Sequence, residues 1–194
     1  MGVPGRPRAV YPPDVPTTIR PESPADVDAV RDVVAAAFGE HAEHVLTMLD
    51  GLRADPAWVD GLSLVAECDD VVVGHVLLTR VRVETERGPL AALTLTPLSV
   101  LPEAQGRGVG TSLVTRALDT ATAGGWPLVV LEGDPRYYGR RGFVAAEPHG
   151  LPSPSALIPP GAWQVALLPD HEPWMTGPVT LSAPLLAVND EPRV

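Results

Sequence analysis

Gln105-Gly106-Arg107-Gly108-Val109-Gly110 is the stretch that decides how the rest of the chain is read. It lies between an apolar run ending in Val100-Leu101-Pro102 and an amphipathic segment beginning at Thr111, the order strand, glycine-rich turn, helix. Glycines on alternate positions accept positive φ and leave the backbone uncovered, so a ligand can approach it closely. The N–H groups that open a helix lack intrahelical acceptors and sit at the positive end of the macrodipole, an environment suited to an anion. Arg107, between two of the glycines, adds positive charge to the rim. Two common phosphate-binding loops are excluded. A P-loop needs G-x-x-x-x-G-K followed by Ser or Thr, and this chain contains no lysine. A dinucleotide-binding fingerprint has the spacing G-x-G-x-x-G on the first strand of a βαβ unit, whereas these glycines alternate and fall mid-chain.

At 194 residues, 45% of them hydrophobic, the chain allows one domain with appendages and a sizeable core. The formal net charge of −10 argues against nucleic-acid and anionic-membrane partners and leaves room for a local arginine cluster. The single cysteine, Cys68, excludes an internal disulfide, fits a reducing cytoplasm, and reads as a small buried residue on a strand. No apolar run approaches the roughly 20 residues that span a bilayer. Residues 1–16 are rich in Pro and Arg without an apolar h-region, hence a disordered tail and no signal peptide.

Thr17 to Pro21 reads as a first strand, and Ser23-Pro24-Ala25-Asp26 as the start of a helix running to about Phe38. A second helix follows from about Glu40 to Arg53. His41 and His44, beside Glu40 and Glu43, have a spacing that permits metal binding, but with no third ligand nearby they read as a solvated face. Leu62 to Glu67 and Val71 to Glu84 form two strands around an Asp69-Asp70 turn, with Gly74 marking a bulge or a close backbone approach. Leu90 to Leu101 is a central strand in which Pro97, lacking an N–H, interrupts pairing. Pro127 to Leu131 is a strand parallel to it across the intervening helix. A Pro- and Ser-rich loop from Glu147 to Pro160 leads to a last strand at Trp163 to Leu168. Residues 169–194 form an extension that packs back through Trp174 to Val179.

Val100 to Gly110, with Leu113 following, resembles motif A of the GNAT N-acetyltransferase superfamily, Q/R-x-x-G-x-G/A. Thirty residues on, Gly133-Asp134-Pro135-Arg136-Tyr137-Tyr138-Gly139-Arg140-Arg141-Gly142-Phe143 is similar to the family's motif B, and to a branch of small bacterial N-acetyltransferases with G-D-P-x-Y-Y-G-R-x-G-F. The resemblance covers residues 17–168. It implies an α/β (α+β) GNAT fold, a mixed central sheet of about six or seven strands flanked by about four helices. It further implies acetyl-CoA as acyl donor without a metal, and a primary amine of a small molecule or peptide as acceptor, attacked directly in a ternary complex. A catalytically silent CoA-binding sensor or interaction module is the alternative, and the oligomeric state, a homodimer included, stays open.

Carried over residue by residue, the resemblance assigns the donor's pyrophosphate to Gln105, Gly106, Arg107, Gly108, Val109, Gly110 and Thr111. Its pantetheine arm falls to the backbone of Ser99, Val100 and Leu101, with an N–H near Val100 polarising the thioester carbonyl. Arg107 and Arg140 balance the phosphates, while Arg136 and Arg141 read equally well as solvated. Asp134 falls where many members carry an Asn that bonds the pantetheine; an ionised Asp cannot donate, so helix capping is its alternative. Tyr138 matches the general acid that protonates the leaving thiolate, and Tyr137 the aromatic packed beneath it. Acetyl transfer also needs a neutral amine. Glu67 and Glu132 are the nominated bases, with His75, Glu103 and water as further candidates. The helix-loop region around His41 and His44 borders the acceptor pocket in the family, which makes these residues candidates for substrate contact.

Overall fold

The computed structural model describes residues 17–189, so the segment read as a disordered tail lies outside the described residues. A single sheet divides them into two layers. Its strands are β1 (Thr18–Pro21), β2 (Ser63–Cys68), β3 (Val71–Thr85), β4 (Gly88–Val100), β5 (Leu128–Glu132), β6 (Val144–Ala145), β7 (Trp163–Leu167) and β8 (Val179–Thr180). They are ordered β1-β2-β3-β4-β5-β7-β6, with β8 pairing β3 at Arg82 and Val83. Every neighbouring pair is antiparallel except β4–β5. The sheet is mixed, as expected for this class of α+β fold. It has more strands than expected because the C-terminal segment contributes β8.

The helices are α1 (Val27–Phe38), α2 (Ala42–Arg53), α3 (Val109–Ala123), a single turn α4 (Pro135–Tyr138) and α5 (Ala183–Asn189). Apolar residues three and four apart put Val30, Val33 and Val34 of α1 and Val45, Met48, Leu49 and Leu52 of α2 on one sheet face. There they bury against Leu77, Val81 and Val83, and Leu185 of α5 joins them. On the opposite face α3 buries Leu113, Val114, Ala117 and Ala121 against Leu64, Ala66, Val76 and Leu78. The Asp69-Asp70 turn has φ of 49° and 61°, left-handed values that Asp tolerates and that suit a two-residue hairpin.

Two irregularities shape the centre. Ala66 pairs with Gly74 but Glu67 with Val72, so Val73 is an extra residue in β3. The bulge lies beside Gly74, where a Cβ would come within 3.0 Å of Leu113 Cδ1. Both readings of this glycine therefore hold. In β4, Leu98 pairs with Val76 but Leu95 with Leu78, so Thr96 and Pro97 together oppose Leu77. The ladder is interrupted at Pro97, as its missing N–H dictates, and the Thr96–Pro97 peptide is cis.

Beyond this point β4 and β5 separate. Their parallel pairing is confined to Leu93 with Val129 and Thr94 with Val130. β5 instead follows β7, pairing Leu131 with Gln164 and Glu132 with Trp163. Gly133 N–H donates to the Ala162 carbonyl at 2.9 Å, and Gln164 Nε2 donates to the Gly133 carbonyl at 2.9 Å. These bonds hold the end of β5 away from β4.

A buried polar hub joins α2 to the sheet. Glu22 follows β1, donates its backbone N–H to the Ser63 carbonyl at 2.8 Å, and pairs through its carboxylate with Arg53 at 2.5 Å. Its other oxygen accepts from Ser63 Oγ and lies 3.6 Å from His75 Nε2. Burial disfavours the charged carboxylate, but hydrogen bonds from His75, Ser63 and Arg53 overcome it and lower its pKa from 4.5 to about 2. A carboxyl depressed on folding contributes stability above its unfolded pKa and loses it as pH falls toward the folded value. Unfolding free energy measured by denaturant titration is therefore expected to fall between about pH 4.5 and about pH 2. Glu22→Gln should flatten that slope, and an unaltered acid limb would show that the hub is not its source.

Candidate active site

The parting of β4 and β5 leaves an aperture in the sheet, and two cavities meet there with Leu98 lining both. The first, of about 370 Å³, lies on the α1/α2 side and is bounded by the β4 stretch from Thr94 to Leu98, by Glu132 and Gly133 at the end of β5, and by Tyr138. The second, of about 510 Å³, lies at the start of α3 and is lined by Val100, Gln105, Gly106, Gly108, Thr111 and Arg141 among others.

The backbone of β4 supplies hydrogen-bonding capacity along this opening. Leu101 N–H donates to the Val73 carbonyl at 2.9 Å, which makes Leu101 and Ser99 the residues that turn their main-chain groups toward β3. By the same alternation Leu98 and Val100 direct theirs toward the space that β5 has left. Of the three residues assigned to the pantetheine, only Val100 lines the opening. Ser99 is 2% exposed and sits with His75 on the α1/α2 face, and the Leu101 amide is taken. The Val100 carbonyl accepts from Gln105 Nε2 at 3.0 Å, so the Gln105 side chain closes the loop rather than reaching outward.

Around the turn, Gly106 and Gly108 have φ of +73° and +85° and nothing within 4 Å of an added Cβ, so they are required by conformation. α3 then opens at Val109, with Ser112 N–H making a 2.9 Å bond to the Gly108 carbonyl. The N–H groups of Gly108 to Thr111 precede that bond and have no intrahelical acceptor. Gly110 has a different purpose: a Cβ there would collide with the Tyr137 hydroxyl. Tyr137 thus packs over the first turn of α3 as well as against Tyr138, their rings 4.9 Å apart and nearly perpendicular.

Arg141, read from sequence as equally well solvated, lines this cavity. Its guanidinium lies 3.5 Å from the Tyr137 ring centroid, donates to Thr111 Oγ1 at 2.6 Å and also donates to the Tyr137 carbonyl. Arg140 and Arg107 are exposed and line neither cavity. Arg140 and Arg141 both lie on the short turn after α4, where the direction of a side chain cannot be read from sequence. Asp134 also stands outside the cavities. It caps α4, accepting from Arg136 N at 2.8 Å, and its bonds from Arg136 hold its pKa below the usual carboxylate range.

Tyr138 reaches the aperture from the α3 side, where its ring packs edge-on to Phe143 at 5.7 Å. Burial, reinforced by Tyr137 and opposed by Arg141, pushes its hydroxyl up to about 12. It is protonated at any ordinary pH. Of the nominated bases, Glu132 lines the first cavity. Glu67 does not; it accepts from Arg20 Nε at 3.0 Å beside Asp26, in a network tying β1 to α1. Glu103 is likewise outside both cavities, and His75 is fully buried in the Glu22 hub with its pKa lowered by burial against the pull of Glu22. His41, on the turn before α2, and His44 on α2 are exposed, and α2 turns Val45 and Met48 to the cavity instead.

A family model described as an acetyltransferase (GNAT) domain matches residues 18–146. The chain belongs to the GNAT acetyltransferase family. It is 32% identical over 165 residues to an uncharacterized N-acetyltransferase of Escherichia coli, YjhQ, spanning 82% of this chain and 89% of that protein. Among solved structures, the GNAT family N-acetyltransferase YhbS of Escherichia coli in complex with CoA superposes with a TM-score of 0.77 at 27% identity, over 91% of this chain and 95% of that one. A GNAT acetyltransferase from Brucella melitensis in complex with acetyl-CoA gives 0.69 at 31% identity, over 87% and 97%. Membership of this family makes the chain an acyltransferase. Among the described residues no group of three or more His, Cys, Asp or Glu could hold a metal, and no helix is long and apolar enough to cross a membrane.

The Tyr138 ring rests against Gly133, where a Cβ would come 2.7 Å from its Cδ2. Gly133→Ala must displace the ring and is expected to cost about 1–3 kcal/mol of stability. Gly106→Ala, which meets no neighbour, should cost only the ~1–2 kcal/mol of a left-handed backbone and leave Tyr138 in place. Denaturant unfolding, with crystallography of Gly133→Ala, checks both; an undisplaced ring in Gly133→Ala would refute the packing argument.

Proposed function

We propose that this family member moves the acetyl group of acetyl-CoA to a primary amine by direct attack in a ternary complex, in the cytoplasm of a bacterium. The observation that carries the reading is the aperture itself. Open backbone groups of β4, uncommitted amides at the start of α3, and a protonated Tyr138 all converge on one passage through the sheet. CoA and acetyl-CoA are named as ligands of two structural relatives, which supports the donor.

On this reading the diphosphate is held by the N–H groups from Gly108 to Thr111, with Arg141 supplying the countercharge. The arm runs along β4, and Leu98 at the junction of the cavities offers its N–H to the thioester carbonyl. The amine arrives from the α1/α2 side. Its nitrogen lone pair forms the C–N bond, the carbonyl oxygen takes negative charge, and collapse breaks the C–S bond. The proton leaving the nitrogen passes to Glu132 or to water. The departing thiolate meets the Tyr138 hydroxyl.

Burial keeps the Tyr138 hydroxyl protonated, so it donates a hydrogen bond to the sulfur as negative charge develops there, and the proton follows to give the free thiol of CoA.

Tyr138→Phe is expected to lower kcat by about 10²-fold with little change in the KM for acetyl-CoA. Because the hydroxyl ionises near 12, kcat/KM should rise with pH through the amine and show no descending limb below about pH 10. Arg141→Ala should weaken CoA binding about tenfold or more in calorimetry, while Arg140→Ala leaves it within about threefold. CoA bound normally by every variant, with no acetyl transfer to any amine, would return the chain to the silent binding module.

A further inference from the structure

The two cavities draw on different parts of the chain. The described residues that line the second run from Leu98 to Arg141, inside the stretch 18–146 that matches the family. The first takes Ile158, Trp163, Leu181 and Leu185 from beyond that stretch. Leu181 and Leu185 belong to a C-terminal strap that follows β7, pairs with β3 as β8 and ends in α5 against α2. The strap is seated closely. Gly177 N–H donates to the Gly150 carbonyl at 2.8 Å, and Glu84 N–H donates to the Pro178 carbonyl at 2.9 Å. A Cβ on Gly177 would collide with the Glu84 carbonyl oxygen, so a larger residue there must lift the strap from β3. Val179 is buried in one cluster with Val81 and Val83. Gly51 lies inside α2, where glycine is a poor helix former, and its missing Cβ admits Pro184, which would stand 3.1 Å from one.

We infer that this strap sets acceptor specificity: Leu181 and Leu185 touch the part of the acceptor remote from its amine and fix the length and bulk that can be seated, with Gly177 as a positioning residue. This rests on the acetyl-transfer reading and deepens it. An amine that enters from the α1/α2 side to reach Leu98 occupies the chamber that the two leucines line together with Val45 and Met48. A leucine in such a chamber favours a carbon body by the apolar area it covers and limits that body by its own volume. One methylene more or less in a hydrophobic site changes kcat/KM about 10- to 200-fold. That discrimination requires a wall that does not yield. The β8 pairing and the hydrogen bonds at Gly177 and Pro178 hold the wall in place. These bonds are made to β3 and to Gly150, not to the glycine turn, so the strap can be altered with the donor cavity left intact.

The test is steady-state acetyl transfer by the full chain to n-propylamine, n-hexylamine and 2-phenylethylamine, with CoA calorimetry on every variant. Leu181 is only half-buried, so a larger side chain is tolerated there. Leu181→Trp fills the chamber from the strap and is expected to lower kcat/KM for n-hexylamine and 2-phenylethylamine about tenfold or more relative to n-propylamine, with CoA affinity within about twofold. Leu181→Ala, which removes the contact, is the second variant and should lower the hexylamine-to-propylamine ratio about fivefold or more. Gly177→Ala should raise the KM for n-hexylamine about fivefold or more while kcat for n-propylamine and CoA affinity stay within about twofold, a split that general destabilisation does not produce. Ratios unmoved in Leu181 variants that bind CoA overturn the inference, and an unchanged hexylamine KM in Gly177→Ala overturns the positioning role. Transfer by the unaltered protein to putrescine or a lysine peptide but to none of the three amines overturns the inference and leaves acetyl transfer standing. CoA binding without transfer to any amine overturns the acetyl-transfer reading, and this inference with it.

Discussion

Two parallel strands that pair over two residues and then separate are the constraint on which this molecule depends. Parting a sheet leaves backbone donors and acceptors without partners, a cost that a buried strand does not ordinarily bear. Here both strands have reasons to leave. β4 carries Pro97, which cannot donate, and its ladder with β3 is already irregular there. β5 is drawn to the other side by a continuous antiparallel ladder to β7, extended past its end by the bonds at Gly133. The opening is thus held by hydrogen bonds made elsewhere, and the main-chain groups of Leu98 and the N–H of Val100 are left facing it.

The aperture also explains how the two faces of the sheet divide their roles. α3 and its glycine turn lie on one face with the amides that have no intrahelical acceptor and Arg141, while α1, α2 and α5 enclose an apolar chamber on the other. Tyr138 belongs to the first layer by packing and to the second as a lining residue of its cavity. Under the proposed acetyl transfer, a donor and an acceptor would approach from opposite faces and meet at the gap without sharing a binding surface. The polar hub of Glu22, Arg53, Ser63 and His75 stands apart from this gap and anchors α2, the helix that presents Val45 and Met48.

Much of this was legible in the sequence, for a local reason. The glycine turn, the β4–α3–β5 crossover, the Pro97 interruption and the Tyr pair each declare themselves within a few consecutive residues, because φ preferences, missing donors and apolar spacing are properties of short stretches. What was not legible depends on direction and on distance. Arg140 and Arg141 are adjacent, and only the orientation of a one-turn helix decides which faces Thr111. Gly110 lines the cavity as the loop pattern leads one to expect, but its lack of a Cβ also makes room for Tyr137, a contact no local pattern shows. Glu67 and Glu132 both lie near the ends of strands, and only Glu132 lines the cavity; Glu67 accepts from Arg20 on another part of the sheet. The acceptor wall left no motif because residues from 38 to 185 contribute one or two side chains each.

That dispersal bears on how the protein comes to exist during translation. The glycine turn and the tyrosines are complete once about residue 143 has been made, whereas β7, whose ladder holds β5 away from β4, follows at residues 163–167. The opposite chamber waits for residues 181 and 185, whose side chains close it. Until they emerge from the exit tunnel, Phe38, Val45 and Met48 lack that cover, and a nascent chain at that stage would expose a greasy surface to chaperones.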